Sequence, residues 1–567
     1  MSPLPKKAHW PPIYITLQTI AIAFGVWFLT HQRYQDDAFI SLTYARNLLA
    51  GHGLTWNPGE AVEGYSNFLF TLGIAFIGRL GVDLQLASVL ISFASYFAML
   101  LLLWRYVEPH YRQNFANTSF AYAHRINRTL CVALTASSAI VLAWCFGGLE
   151  AVMFAMLLTA SVCPVMRWLE NGATTRQAFF TGMLFALAAM TRLEGLIVWG
   201  ITGLFLGVLW LLKRNPHITF TRLLWLAVGF LILFAPYMGW RLWYFGDWLP
   251  NTYYAKVYGI PSDILRFLGF FYFLQFMILP PMLPVFAVVL LFLAWRVNAL
   301  PHTLAYLFVI VTALTVQIIN SGGDHMYYLR FCVPLVPLLA LMIYHANSLI
   351  IPRNEKHFRD VCGALLVLLV FQFGMVRTDE SFSPGAISGK SIAPYISGHW
   401  EEGTVIAINP AGALPYYAPD FRYIDMIGLM NPEIAQRSFL PADDATRTML
   451  NNRSAGHHKG DGQWVLSQQP DYIIFGNAVW GTEKPTLTSD TELDALPEFH
   501  EQYEQVITYV NPPTDMLPAL QYMAEQNAKA YNEARNKDSF VRGPVMNEKG
   551  QLRLIFWRRI PAQGTAL

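Results

Sequence analysis

Charge is scarce in this sequence. Of its 567 residues only 13% are Asp, Glu, Lys or Arg, whereas 54% are hydrophobic. A soluble protein with so few charges would be difficult to keep in water, so the composition points to a membrane protein. Residues 377–567 hold 16 Lys and Arg against 23 Asp and Glu, while residues 1–376 hold 23 against 14. This asymmetry predicts a transmembrane domain over 1–376 and an acidic, soluble domain over 377–567.

Cysteine patterns and the common catalytic motifs are also lacking. All five cysteines lie in apolar segments, and none lies in the soluble third, so no disulfide framework is predicted. Their spacing suits neither zinc nor redox chemistry, and we interpret them as small buried hydrophobic residues. No P-loop, GxSxG, HExxH or dinucleotide fingerprint occurs. The function must therefore be sought among the polar residues of the apolar part.

Long apolar runs are abundant. A bilayer core requires about 20 apolar residues per helix. Runs of roughly that kind lie at 13–30, 84–104, 130–147, 151–167, 177–192, 195–212, 223–241, 279–295, 303–320, 331–351 and 361–376. The first follows Lys6 and Lys7 and has no small-residue cleavage site after it, so we interpret it as a retained anchor. The pattern predicts eleven transmembrane helices.

A further apolar segment, 67–81, is short and is interrupted by Arg79. If it crossed the membrane, the basic loop 105–128 would lie outside. If it lies flat at the interface, that loop and the other basic loops are cytoplasmic, as the positive-inside rule favours. We therefore predict a flat juxtamembrane helix, a cytoplasmic N-terminus and an extracytoplasmic soluble domain.

The soluble third alternates short apolar runs with turn signals. We interpret "TVIAI", "FRYIDMIG" and "PDYIIFG" as strands, and "GALPYYAP" and "PALQYMAEQNAKAYNEARN" as wholly or partly helical. The predicted class of this part is α/β or α+β.

With this predicted arrangement of transmembrane helices, the polar residues gather at the outer ends of the spans. The clusters are Asp36/Asp37, Glu63, Glu150, Arg192/Glu194, Asp247/Asn251/Lys256 and Asp324/His325/Arg330. Ionisable groups at membrane depth are costly, so they tend to face one another or a polar cavity. The alternative is that they are ordinary interfacial charges solvated by headgroups. Six clusters on one face favour a shared, outward-facing site.

Two adjacent carboxylates after an anchor suggest acid–base chemistry. Either Asp36 or Asp37 could act as a general base on an acceptor hydroxyl, or the pair could cap the following helix. Lys256 and Arg330 are reasonable contacts for a lipid phosphate. Asp324 and His325 could bind a divalent cation with Asp37, or could simply bond to each other, which is a weak metal signal.

Several motifs together resemble the GT-C membrane glycosyltransferases. They are "DDAFISLTYARNLLAGHGLTWNPGEAVEGYSNFLFTL", "GGLEAVMFAML", "TRLEG", "GDWLPNTYYAKV", "GGDHMYYLRFCVPLVP" and "IDMIGLMNPEIA", in this order. The likeness is greatest to the terminal β-arabinofuranosyltransferases of mycobacterial cell-wall assembly and their bacterial relatives. It implies a polytopic helical domain, an extracytoplasmic C-terminal domain and a polyprenyl-phosphate sugar donor.

The resemblance also implies roles for individual residues. The essential acid of the first outer loop corresponds to Asp36 and Asp37, and Lys256, Arg330 and Arg192 would bind the donor phosphate. The cavity would be lined by Tyr44, Arg46, Glu63, Glu150, Glu194, Asn251, Tyr253, Tyr254, Asp324 and His325.

These inferences predict an enzyme of the bacterial inner membrane. It would move a sugar, expected to be arabinofuranose, from polyprenyl phosphate to a hydroxyl of a glycan, lipid or protein, with no nucleic-acid partner. The alternative is a flippase or transporter for a lipid-linked saccharide, which predicts polar residues at the membrane midplane and an inverted repeat. The polar residues concentrate instead at one face, and no repeat is found.

Overall fold

The computed structural model describes residues 34–279, 281–297, 300–326, 328–353, 355–375, 383–438, 456–533 and 543–561. The predicted anchor at 13–30 lies outside these residues. The described helices are α1 (Asp36–Leu49), α2 (Phe68–Gly78), α3 (Leu84–Asn114), α4 (Ala121–Ala136), α5 (Ala139–Trp144), α6 (Ala151–Asn171), α7 (Thr175–Thr191), α8 (Glu194–Leu211), α9 (Phe220–Phe245), α10 (Asn251–Lys256), α11 (Ser262–Ile278), α12 (Leu283–Val297), α13 (His302–Asn320), α14 (Leu335–Ile350), α15 (Glu355–Met375), α16 (Pro384–His399), α17 (Ala413–Tyr417), α18 (Pro432–Gln436), α19 (Gly462–Ser467), α20 (Thr488–Asp494), α21 (Pro497–Gln502) and α22 (Leu517–Glu533). The strands are β1 (Val405–Ile408), β2 (Arg422–Asp425), β3 (Tyr472–Ile474), β4 (Tyr503–Val510) and β5 (Leu552–Arg559).

The apolar helices are those of a multi-pass membrane protein. Within the described ranges, six are long and apolar enough to cross a membrane: α3, α6, α8, α9, α13, and α14 with the 3₁₀ turn before it. The bent pair α11 and α12 makes a seventh if it is one span. The predicted run at 177–192 is the 17-residue α7, and the run at 130–147 is divided between α4 and α5. Large exposed side chains such as Leu204, Trp243 and Phe270 suit contact with lipid.

The helix α2 corresponds to the segment predicted to lie flat. It has 11 residues, which at 1.5 Å per residue is about 16 Å. The hydrocarbon core is about 30 Å thick, so α2 is too short to span it.

Local sequence signals set several helix ends near the polar clusters. The side chain of Asp83 accepts a hydrogen bond from Leu86 N at 3.0 Å and caps α3. A capping box between Thr174 and Gln177 begins α7. α9 ends at Phe245 because Gly246 adopts the left-handed conformation, with φ 85°. The chain after α7 carries Arg192, and the chain after α9 leads to Lys256, so these ends help to position both cations.

The C-terminal part contains a five-stranded sheet of order β2-β1-β3-β5-β4. β1 pairs in parallel with β2 and β3, whereas β5 is antiparallel to β3 and β4. The three predicted strands are β1 to β3, and the predicted helical stretches contain α17 and α22. The expected mixed class is confirmed, while β4 and β5 have no predicted counterpart.

The segment after the predicted anchor packs against this sheet region. Asn57 Nδ2 donates to Tyr423 O at 2.8 Å, and Tyr423 N donates to Asn57 Oδ1 at 3.2 Å. On α1, the ring of Phe39 contacts the rings of Tyr416 and Tyr417, with centroids 5.4 and 5.3 Å away. α1 and the loop that follows it therefore share a packed contact with the C-terminal part.

Candidate active site

A cavity of about 770 Å³ lies where α1, α8, α10, α13 and the turn before α14 converge. Much of its wall is apolar, including Leu196 and Ile197 of α8 and Ala313 and Val316 of α13. Eight of the predicted site residues lie in the wall: Asp37, Glu150, Arg192, Glu194, Tyr253, Lys256, Asp324 and Arg330. Because α8 and α13 are membrane spans, one part of the cavity wall is apolar and lies within the membrane region, and another part carries a group of charged side chains.

The two arginines of the cavity are tightly paired. Arg192 contacts Glu150 and lies 2.7 Å from Glu194 Oε1. Arg330 Nε lies 2.7 Å from Asp324 Oδ2. All five side chains are largely shielded from water, so each charge depends on its partner, because an unpaired charge buried here would be costly.

Lys256 is paired more loosely. Its Nζ lies 3.4 Å from Asp37 Oδ2, and its side chain is 26% exposed, against 10% and 7% for Arg192 and Arg330. The ring of Phe331 also holds both arginines, with guanidinium carbons 4.6 and 5.1 Å from its centroid. Of these three cations, Lys256 is the one best able to change partner.

The two adjacent aspartates point to different partners. Asp36 accepts hydrogen bonds from Gly412 N at 3.1 Å and Ala413 N at 2.9 Å. Burial raises the pKa of Asp36 to about 7, although these two N–H groups act in the opposite direction. Burial alone would also raise the pKa of Asp37, but the positive charge of Lys256 and other nearby groups holds it below the usual range. Asp36 thus bonds to the backbone of the C-terminal part, and Asp37 faces the cavity.

A smaller cavity of about 140 Å³ adjoins the first. The two share Asp37, Lys256, Leu429 and Gly456. Much of the remaining wall is polar: Gln35, Asp36, His325, Ser383, Asn409, His457 and Asn477 contribute to it. His325 therefore lines this second cavity, and the Asp37–Lys256 pair stands in the wall common to both.

Asp425 is a structural residue of the site that the sequence analysis missed. Its carboxylate accepts hydrogen bonds from Ile427 N at 2.9 Å and Met430 N at 2.8 Å, and burial raises its pKa to about 6. These bonds order the loop after β2, which brings Leu429 to both cavities. The available signal is the motif "IDMIGLMNPEIA", where Asp425 ends a strand and a turn follows.

Two residues of α1 that were assigned to the cavity lie elsewhere. Tyr44 is fully buried, and its hydroxyl bonds to Val62 O. Arg46 donates from Nη1 to Tyr416 O at 2.7 Å. Neither residue lines the two cavities described above, because both side chains fasten α1 to its surroundings.

Three further residues are also outside the two cavity walls. Glu63 Oε2 lies 2.6 Å from Arg241 Nε in a buried ion pair. Asn251 donates to the carbonyl oxygen of Leu429 at 2.9 Å and supports the loop after β2. Tyr254 packs edge-to-face against Tyr258. Of these residues, the first two hold the backbone that borders the large cavity, and the third lies in an aromatic contact.

The predicted metal ligands do not form a ligand set. Asp37 is paired with Lys256, Asp324 with Arg330, and His325 Nδ1 lies 3.5 Å from Asp324 Oδ1. In the part of the chain that the structure describes, this trio is not a group whose ligand atoms approach one another within 4.8 Å. A divalent cation would have to displace both basic side chains, so these residues do not fit one.

The chain was compared with protein families, curated proteins and solved structures, and the similarities found concern its fold. Residues 381–531 match a family described as a domain of unknown function, DUF8728. No curated protein matches the chain. The chain is similar to the solved structure of the Archaeoglobus fulgidus oligosaccharyltransferase in complex with Zn and sulfate, with a TM-score of 0.51 and 13% identity over 95% of this chain and 88% of that one.

Two structures of ArnT from Cupriavidus metallidurans are also similar. The one bound to undecaprenyl phosphate has a TM-score of 0.49 and 12% identity over 96% of this chain and 97% of that one. The apo structure has a TM-score of 0.47 and 14% identity over 77% and 91%. At these identities similarity concerns the fold. The oligosaccharyltransferase match and the apolar helices confirm the expected polytopic, GT-C-like class.

Proposed function

We propose that this protein is a membrane glycosyltransferase that moves a sugar from a polyprenyl-phosphate donor to an acceptor hydroxyl. The position of Asp37 carries the proposal. Its carboxylate lies in the wall between a large, mostly apolar cavity with three cations and a smaller cavity to which several polar side chains contribute. A lipid-linked donor and a hydrophilic acceptor need two such surfaces with one base between them.

The large cavity suits the donor. Its apolar wall from α8 and α13 fits a polyprenyl chain that enters from the bilayer. Lys256 is the principal phosphate contact, since its bond to Asp37 is long and its ammonium is partly exposed. Arg330 and Arg192 line the same cavity and supply further positive potential.

In the proposed reaction the acceptor oxygen attacks the anomeric carbon, and the bond from that carbon to the phosphate oxygen breaks. Asp37 takes the hydroxyl proton as general base, and polyprenyl phosphate leaves with the bonding electron pair. Lys256 moves from Asp37 to the phosphate, which stabilises the leaving group and frees the base. Asp36 is a positioning residue, because its bonds to Gly412 and Ala413 hold the start of α1.

The small cavity suits the acceptor. Its amide and imidazole side chains can bond to the hydroxyls of a glycan, lipid or protein substrate. Resemblance to the arabinofuranosyltransferases supports arabinofuranose as the sugar. It also supports an inner-membrane protein with a cytoplasmic N-terminus and with residues 377–567 outside.

The direct test is sugar transfer by the purified full-length chain in detergent. Radiolabelled polyprenyl-phospho-arabinose is offered with glycan, lipid and peptide acceptors, and donor binding is measured in parallel. Asp37→Asn should reduce transfer by about 10²- to 10⁴-fold and still bind donor. Asp36→Asn should retain part of the activity, and the exposed Glu60→Gln serves as the control.

The opposite result is equally informative. If the wild type binds the donor without ever transferring its sugar, and both aspartate variants behave alike, the enzyme proposal is wrong. Movement of the intact donor across vesicle membranes would then favour the flippase.

A further inference from the structure

A second group of ionisable side chains lies far from the cavities. His110 near the end of α3, Glu170 near the end of α6 and His345 in α14 each offer one ligand atom, and these atoms lie within 4.8 Å of one another. Glu170 follows Glu150 by 20 residues along α6, which at 1.5 Å per residue is about 30 Å. The group therefore lies at the opposite end of α6 from the candidate active site.

The surroundings of the group resemble the supporting shell of a metal site. His110 Nε2 lies 3.7 Å from Glu170 Oε1, while His110 Nδ1 bonds to the hydroxyl of Tyr344 at 2.9 Å. A metal-binding histidine is commonly held by such a bond at its second nitrogen. The hydroxyl of Tyr106 bonds to Glu170 Oε1 at 3.3 Å and to His345 Nε2 at 2.9 Å. Tyr344 thus holds His110 at its second nitrogen, and Tyr106 links Glu170 to His345; a metal bound at Glu170 Oε1 or at His345 Nε2 would replace the bond of that atom to Tyr106.

An ion can reach this group. A cavity of about 400 Å³ is lined by His110 and Glu170, whose side chains are 14% and 23% exposed, whereas His345 is buried behind them. Arg105 and Arg167 also line this cavity. Their positive charge opposes a cation, so a bound ion should exchange with the solution.

We propose that His110, Glu170 and His345 bind a divalent transition-metal ion of the Zn²⁺ class. Two imidazoles and one carboxylate are a common protein ligand set for Zn²⁺, with a fourth position left to solvent. The ion joins α3, α6 and α14. Because α6 follows Glu150 and α14 follows Arg330, it ties together two helices that begin at the active-site cavity. This proposal does not depend on the transferase activity.

The test is a titration of the chelator-treated, full-length protein with Zn²⁺ by calorimetry, with Co²⁺ as a spectroscopic probe. We expect one exchangeable ion per chain and visible bands of tetrahedral Co²⁺. Glu170→Gln and His345→Gln should abolish both. Tyr344→Phe should weaken binding by about 10- to 100-fold. His302→Gln is the matched control, because His302 is a half-buried histidine that bonds to Asn215 outside this group.

Three results would overturn the proposal. The first is that Zn²⁺ binds to every variant as tightly as to the wild type. The second is that the wild type binds no more Zn²⁺ than Glu170→Gln and His345→Gln do. The third is loss of the ion in Asp324→Asn or His325→Gln, which would assign it to the other end of the helices. Tyr344→Phe keeps its aromatic ring, so it remains informative if a ligand variant fails to fold. Size-exclusion profiles identify such failures.

Discussion

Asp36 and Asp37 are consecutive in the chain, yet they belong to two different regions of the molecule. Asp36 faces the loop before α17, where its partners are neutral backbone N–H groups, and Asp37 faces the cavity, where its partner is a lysine. Burial acts on both carboxyls. Burial raises the pKa of Asp36 to about 7, but the pKa of Asp37 falls below its usual range in spite of burial. Burial outweighs the two N–H partners at Asp36, whereas the positive charge of Lys256 and its neighbours outweighs burial at Asp37, so the cation makes the difference between the two carboxyls.

Among substitutions that leave both aspartates in place, removal of Lys256 has the largest expected effect, because it deletes the charge that distinguishes Asp37 from Asp36. Lys256→Met should weaken donor binding by about 10- to 100-fold, as expected for a lost charge-assisted hydrogen bond. It should also raise the pKa of Asp37. A general base must be unprotonated, so the acidic limb of the profile of kcat/KM against pH should move to higher pH.

The matched control is Lys390→Met, since Lys390 forms an exposed ion pair with Asp515. Its profile should coincide with that of the wild type. An acidic limb that stays in place in Lys256→Met would show that Lys256 does not set the ionisation of the base.

Gly412→Ala tests the contact between Asp36 and the loop before α17. A β-carbon at this position would lie 1.9 Å from the backbone oxygen of Asp36. The clash should cost about 1–3 kcal/mol, as overpacking of a core does, and should lower the Tm. Gly398→Ala in α16 is the control, because a β-carbon there meets no atom within 4 Å. A Tm for Gly412→Ala that matches the control would contradict a close contact at Asp36.

Much of the fold and of the candidate site could be predicted from the sequence, but the hydrogen-bond partners that lie far apart in the chain could not. Short apolar runs identify β1 to β3. β4 is buried only at its two ends, and the apolar residues 554–557 of β5 lie between Arg553 and two further arginines, so neither strand resembles the bounded apolar runs of β1 to β3. The predicted arrangement of the transmembrane helices brings Asp37, Lys256 and Arg330 to one end of the spans. It cannot show that Asp36 bonds to residues 412 and 413, because a backbone donor so distant in sequence leaves no local pattern.

The two aspartates should also affect stability with opposite signs as the pH changes. The pKa of Asp36 rises from 3.8 to about 7 on folding. Between these values the folded chain holds a proton that the unfolded chain has lost, so the contribution of Asp36 to stability falls as the pH rises. For Asp37 the folded pKa is lowered, so its contribution is present above the unfolded pKa and is lost as the pH falls further.

Asp36→Asn should therefore cost more stability at pH 5 than at pH 8, by on the order of 1–3 kcal/mol. Thermal unfolding of wild type and variant across this range measures the difference. An equal cost at both values would mean that Asp36 has the same pKa in the folded and the unfolded chain.

Glu60→Gln has the smallest expected effect. Glu60 Oε1 lies 2.9 Å from Arg422 Nη2, and their side chains are 37% and 48% exposed. An exposed ion pair contributes about 0–1 kcal/mol, and salt screens it further. The Tm and the transfer rate should therefore stay close to those of the wild type. If Glu60→Gln instead lowered transfer strongly, the contact between β2 and the loop after α1 would control Asp37. The contrast between the two aspartates would then arise from how the loop packs on the sheet, and less from their immediate partners.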